Sequence, residues 1–141
     1  MQNKLKIFVR EILMLLGIFS LCFFQCYFAM MKFKDSVSAY SMEDSYNESI
    51  FWTTLDVVVM FVILKLLLFK LKFKKIIYSI FFVFGCFVTN LGIFQSRESA
   101  WSTYLLSEEI YYTFDLSIIW ICIATLFYLI YVKVIYYLFD K

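Results

Sequence analysis

The sequence predicts an all-α, polytopic membrane protein, a four-transmembrane-helix bundle built as two helical hairpins with both termini cytoplasmic. Three observations predict it. Of the 141 residues, 64% are apolar, well beyond the roughly half of a soluble globular domain. The apolar residues run in four long blocks rather than at amphipathic spacing, and lysine and arginine gather beside one set of block ends.

The blocks cover about residues 7–31, 50–69, 76–95 and 114–139, and each has the roughly 20 residues that a helix needs to cross the ~30 Å hydrocarbon layer. The first and last are long enough to tilt or to reach the interface. The chain has no proline and three glycines, Gly17, Gly85 and Gly92, so the midplane interruptions of broken-helix transporters are not written here. Lys4, Lys6 and Arg10 before the first block resemble a signal-peptide start. That block exceeds the ordinary 7–15-residue apolar region and no small-x-small site follows it, so the first helix is expected to remain.

Orientation follows from charge. Lys4, Lys6, Arg10, Lys65, Lys70, Lys72, Lys74, Lys75, Lys133 and Lys141 are ten of the thirteen basic residues, and all fall at the termini or around the short turn 70–75. The longer connections, 32–49 and 96–113, hold only Lys32, Lys34 and Arg97, against Asp35, Glu43, Asp44, Glu48, Glu98, Glu108 and Glu109. Basic residues near span ends stay in the cytoplasm, so the long connections face outward. Tyr46, Trp52, Trp101, Tyr104, Tyr111, Tyr112, Tyr136 and Tyr137 stand where interfacial aromatic belts belong. Ser107, followed by Glu108 and Glu109, reads as an N-cap from which helix four extends outward.

Function is sought in the polar residues that a membrane tolerates reluctantly. Asp56 lies inside the second span, where an ionisable group facing lipid costs about 2.5 kcal/mol or more. Gln25 and Asn90 fall at a similar depth, so the three are expected to meet as an intramembrane polar cluster. The bland reading is interhelical hydrogen bonding that specifies packing; an ion, proton or ligand site is the alternative. Glu11, Met14, Ile18, Cys22 and Gln25 recur at steps of three and four and define an inward face of helix one, with Glu11 placed to pair with Lys65. Gly85, Thr89 and Gly92 form a small-residue stripe for close helix packing or for a partner's helix. Asp115 is expected at the interface.

Cys22, Cys26, Cys86 and Cys122 all lie within spans and read as small core hydrophobes, without the outer-surface pairing of a disulfide-forming enzyme. C-x3-C without histidine is weak metal spacing, so no metal or other cofactor is expected. The chain contains no histidine, which removes bis-histidine haem ligation and histidine-activated nucleophiles. The basic turn is explained by topology and lipid headgroups, and no nucleic-acid partner is expected.

In size and plan, with four spans, cytoplasmic termini and a Phe/Tyr/Lys-rich composition, the chain resembles the immunity proteins that protect bacteria from pore-forming bacteriocins. The resemblance covers no motif. It implies a small, non-enzymatic protein of the bacterial inner membrane that binds another membrane-embedded protein, as an immunity, exclusion or accessory subunit does. Membrane lipid and either a second integral membrane protein or a further copy of the chain are the expected partners. The alternatives are an oligomeric ion or proton channel or small transporter using Asp56, and a membrane redox enzyme; an organellar membrane is the alternative location.

Overall fold

The computed structural model describes residues 2–39, 45–68 and 74–139, without the side chains of residues 2–4 and 74. Residues 70–73 of the basic turn lie outside the described residues, as do Glu43, Asp44 and Lys141. The described chain is helical, with no strand: α1 is Gln2–Ala29, α2 Tyr46–Leu67, α3 Lys74–Arg97 and α4 Leu106–Phe139. All four are long and apolar enough to cross a membrane, and their large exposed side chains, such as Leu66 and Leu67 on α2 or Leu126 and Phe127 on α4, are those of lipid-facing surfaces. The chain is a multi-pass membrane protein by this measure.

The helices are longer than the apolar blocks, because caps and not hydropathy set their ends. Ser45 caps α2 by accepting a hydrogen bond from the Glu48 N–H at 3.2 Å, so this helix begins four residues before its apolar block. α4 begins at Leu106, and Ser107 is not its N-cap. The Glu108 carboxylate turns back to accept from the Leu105 N–H at 2.9 Å, the acidic half of a capping box closed without a serine.

α1 and α3 each touch the other three helices. They run parallel, since Cys22 contacts Thr89 at 3.4 Å and, toward the later end of both, Phe33 meets Phe94 with ring centroids 5.5 Å apart, with α2 and α4 flanking them. Apolar burial alone does not drive association among lipid-solvated helices; packing and hydrogen bonding do. Two glycines set the closest approaches. A Cβ on Gly85 would come within 2.6 Å of Val57 Cγ1, so only glycine lets α2 lie this close to α3. On α1, Gly17 admits the ring of Tyr131, whose hydroxyl then donates to the Leu13 carbonyl at 2.6 Å. Phe82 of α3 stacks on Tyr128 of α4 with ring centroids 4.3 Å apart.

The face of α1 expected to turn inward does so: Met14, Ile18, Cys22 and Gln25 are buried. Tyr46 corrects the expected aromatic belt. It is buried and donates its hydroxyl to the Tyr27 carbonyl at 2.8 Å. Trp52, Trp101, Tyr111, Tyr112 and Tyr137 remain on the surface.

Candidate functional site

The end of the molecule carrying the two long connections is closed by a polar network around two residues that sequence reasoning counted only as loop charges. Arg97, at the end of α3, is 3% exposed. Its guanidinium donates to the Ser36 carbonyl and to Ser49 Oγ at 3.1 Å, and it lies over the Tyr46 ring, 5.5 Å from the centroid. The Ala39 N–H donates to the Ser96 carbonyl at 2.8 Å, and the Trp101 indole to the Val37 carbonyl at 3.0 Å. Glu109, in the first turn of α4, accepts from Gln95 Nε2 at 2.7 Å and from the Ser99 hydroxyl. Beside them, desolvation and then the neighbouring Glu98, Tyr112 and Glu108 raise the Tyr104 phenol above its ordinary range. Both connections are thus pinned to helix ends. The signals readable in sequence were Ser45 three residues before Glu48, a capping box, and one arginine closing an apolar run.

Below this cap the interior carries a polar layer. Gln25 is 4% exposed and Asn90 fully buried, and no protein group hydrogen-bonds either carboxamide among the described residues. The Thr54 and Thr113 hydroxyls are buried in the same condition. Cys22 contacts Thr89, whose hydroxyl also donates to the Gly85 carbonyl at 2.9 Å. α3 and α4 are antiparallel, with Gln95 against Glu109 and Phe82 stacked on Tyr128, which sets Asn90 at the level of buried Ser117. Unpartnered buried polar groups each cost about 1–3 kcal/mol, so this layer lowers the stability of the packing it occupies.

Asp56 does not join that layer. It is exposed, on the outer side of α2, and has no hydrogen-bond or ion-pair partner among the described residues. It lines a groove between α2 and α3, of about 280 Å³, together with Thr53, Met60, Gly85, Val88 and Gly92. The expected three-residue cluster is therefore divided, with Gln25 and Asn90 inside and Asp56 outside. The structure instead joins Asp56 to the small-residue stripe of Gly85, Thr89 and Gly92. At Gly85 the stripe serves packing within the chain. At Gly92 a Cβ would meet only Thr53 Cγ2, at 3.7 Å, so that end of the groove is open. Contacts of Val57 with Gly85 and Thr53 with Gly92 put Asp56 level with Val88, roughly nine residues or about 13 Å inside Arg97 by helical rise. That is near half depth for a ~30 Å hydrocarbon layer.

The opposite end, where Gln2 and Phe139 lie, is joined by charge and aromatic contacts across all four helices. Lys65 of α2 forms an ion pair with Glu11 of α1, and Arg10 pairs with the same carboxylate at 3.1 Å. Arg10 and Lys75 both face the Tyr136 ring, at 5.4 and 4.6 Å from its centroid.

Cys22, Cys26 and Cys86 are buried; Cys122 is exposed on α4 and is not a core residue. Among the described residues no three His, Cys, Asp or Glu side chains converge as a metal site would require. Asp115 is exposed, within α4. The chain matches no known family model, no curated protein and no solved structure.

Proposed function

We propose that the chain is a non-enzymatic membrane protein that binds another membrane-embedded protein through the groove between α2 and α3, in the manner of an immunity, exclusion or accessory subunit. One observation carries the reading: Asp56, a carboxylate near half depth, stands on the outer surface beside an open glycine-lined groove with no hydrogen-bond or ion-pair partner among the described residues. Leaving such a group against lipid costs about 2.5–3.5 kcal/mol on insertion scales. A helix seated in the groove removes that cost and gains the close packing that small residues permit.

The arrangement that goes with this reading is a four-helix bundle of two hairpins in the bacterial inner membrane, its two termini and basic turn in the cytoplasm. The lopsided distribution of lysine supports it. Reporter fusions at each terminus test it: activity of a cytoplasm-dependent reporter is expected at both, and activity of a periplasm-dependent reporter at either overturns it.

Affinity purification of the full chain in mild detergent tests the function. A stoichiometric membrane protein is expected with the wild type and not with Asp56→Leu or Gly92→Leu. Repeated recovery of the chain alone overturns the proposal. The exposure of Asp56 also favours a second reading, an oligomeric ion or proton channel, because such a residue can line a path only between copies. Reconstituted flux altered by Asp56→Asn is its expected sign, and flux indifferent to that change removes it.

A further inference from the structure

Granting that the groove receives a transmembrane helix, the unpaired carboxylate in it constrains which helix fits. We propose that the occupant is a single transmembrane helix of a different protein, carrying a lysine or arginine near its middle that enters the groove beside Asp56. The inference rests on the reading given above and adds the partner's chemistry.

Charge complementarity selects a basic side chain. Every other residue of the groove wall named above is apolar or small, apart from the hydroxyls of Thr53 and Thr89. Both are committed within their own helices, Thr53 to the Ser49 and Ile50 carbonyls and Thr89 to the Gly85 carbonyl. Among the described residues, Asp56 is therefore the one strong acceptor that the groove offers an incoming helix. In a medium without water a cation is its most favourable complement, and the cation gains equally from the contact.

The described basic side chains of a second copy do not supply that cation. The described basic side chains stand near the two ends of the helices. Lys6 stands in the first turns of α1; Arg10, Lys65 and Lys75 form the contacts at the end where Gln2 and Phe139 lie, and Lys133 lies within two residues of Tyr131, which reaches Leu13. Lys32, Lys34 and Arg97 belong to the end with the long connections. None reaches the level of Val88. A two-fold contact between copies through this face would also repeat the same patch on both sides and turn one Asp56 toward the other, which opposes like charges.

The shape of the groove agrees with one helix. Gly92 leaves its outer half open while Gly85 is closed by Val57, so an incoming backbone approaches closely beside Gly92, with its side chain directed toward Asp56. A cavity of about 280 Å³ takes a side chain between the helices, whereas a flat face would take only a surface contact.

The test uses the intact chain in phosphatidylcholine vesicles, with a fluorophore at its C-terminus. The probes are synthetic transmembrane peptides of about 20 leucine and alanine residues with lysine, leucine or glutamate at the centre, and energy transfer reports association. The lysine peptide is expected to associate at least about tenfold more tightly than the leucine peptide, the factor set by one good polar contact between helices. Asp56→Leu abolishes the difference, and Asp56→Lys transfers the preference to the glutamate peptide. Gly92→Leu, whose Cβ meets only Thr53 Cγ2 at ordinary contact distance, fills the groove and weakens all three. Helical content by circular dichroism is expected unchanged in each variant. Equal association of the lysine and leucine peptides overturns the inference. So does energy transfer between two differently labelled copies of the chain as strong as that with the lysine peptide. Either result leaves open that a membrane protein is bound elsewhere on the surface, whereas purification of the chain alone from its native membrane removes the broader reading whatever the peptides do.

Discussion

Gln25 and Asn90 inside the helix packing, and Asp56 on the face of α2, are alike in having no hydrogen-bond partner among the described residues, yet their positions give that lack different meanings. The two carboxamides are neutral and fully enclosed by their own chain. Their cost was met when the helices packed, and their nitrogen and oxygen atoms are out of reach in the packed chain. The Asp56 carboxyl is ionisable, accessible and near half depth, so its cost persists in the folded molecule until something outside covers it. Polar residues at similar depth thus divide into an internal set that shapes packing and an external one that invites a partner.

The glycines divide the same way and give the largest expected effect. Gly85→Leu forces a side chain into Val57 and should destabilise the chain by about 3 kcal/mol, the upper range of overpacking, measured as the midpoint of unfolding in a detergent titration. Gly92→Leu should shift the same midpoint by less than about 1 kcal/mol, because only Thr53 stands near its Cβ and at ordinary contact distance. Equal losses at the two positions would erase the distinction between a closed and an open end of the groove.

The cap at the long-loop end comes next. Glu109→Leu leaves Gln95 Nε2 and the Ser99 hydroxyl without their acceptor, and should cost about 2 kcal/mol together with faster proteolysis in the connection 98–105. Rapid cleavage without loss of global stability would show that the cap orders the loop alone. Smaller again is Gly17→Ala. The added methyl meets the far end of the Tyr131 ring, which can swing away at the expense of its bond to the Leu13 carbonyl, so a loss of about 1 kcal/mol is expected. The double change Gly17→Ala with Tyr131→Phe should then cost little more than Tyr131→Phe alone.

The four helices were legible because each carries an apolar block long enough to span, and the contact of Glu11 with Lys65 follows from their common placement at one set of helix ends. The face presented by Asp56 was not legible. α2 is apolar on every side, and in lipid both its buried and its exposed residues are hydrophobic, so periodicity does not say which side is inward. Its depth also shifted, because the Ser45 cap starts α2 at Tyr46, one turn before the apolar block. Arg97 and Tyr46 were misplaced for a related reason. An arginine or tyrosine at a span end serves equally as an interfacial anchor or as an inward clasp, and only the folded connection 30–39, which supplies the Ser36 carbonyl, decides between them. Gly85 and Gly92 look equivalent in sequence, and only Val57 distinguishes them.

The smallest expected effect is the most diagnostic of the internal set. Replacing a buried polar group costs heavily when it strands a partner and little when there is no partner to strand. Asn90 is fully buried and bonds no protein group among the described residues, and leucine repeats its branched skeleton with bulkier methyl ends, so the lost desolvation cost and the added crowding oppose each other and Asn90→Leu should move the unfolding midpoint by only about 1 kcal/mol in either direction. Asn90→Asp, which puts a charge where nothing compensates it, should cost several times more. If Asn90→Leu instead cost about 3 kcal/mol, Asn90 would be holding a strong internal contact, and the interior layer would be cohesive where its geometry makes it permissive. Asp56→Leu supplies the matching measurement outside. It should leave the midpoint of the isolated chain in place or raise it, since a lipid-facing ionisable group is removed, while abolishing association with a partner. The same kind of substitution, polar to leucine at similar depth, would then be silent in both positions for stability and decisive in only one for binding.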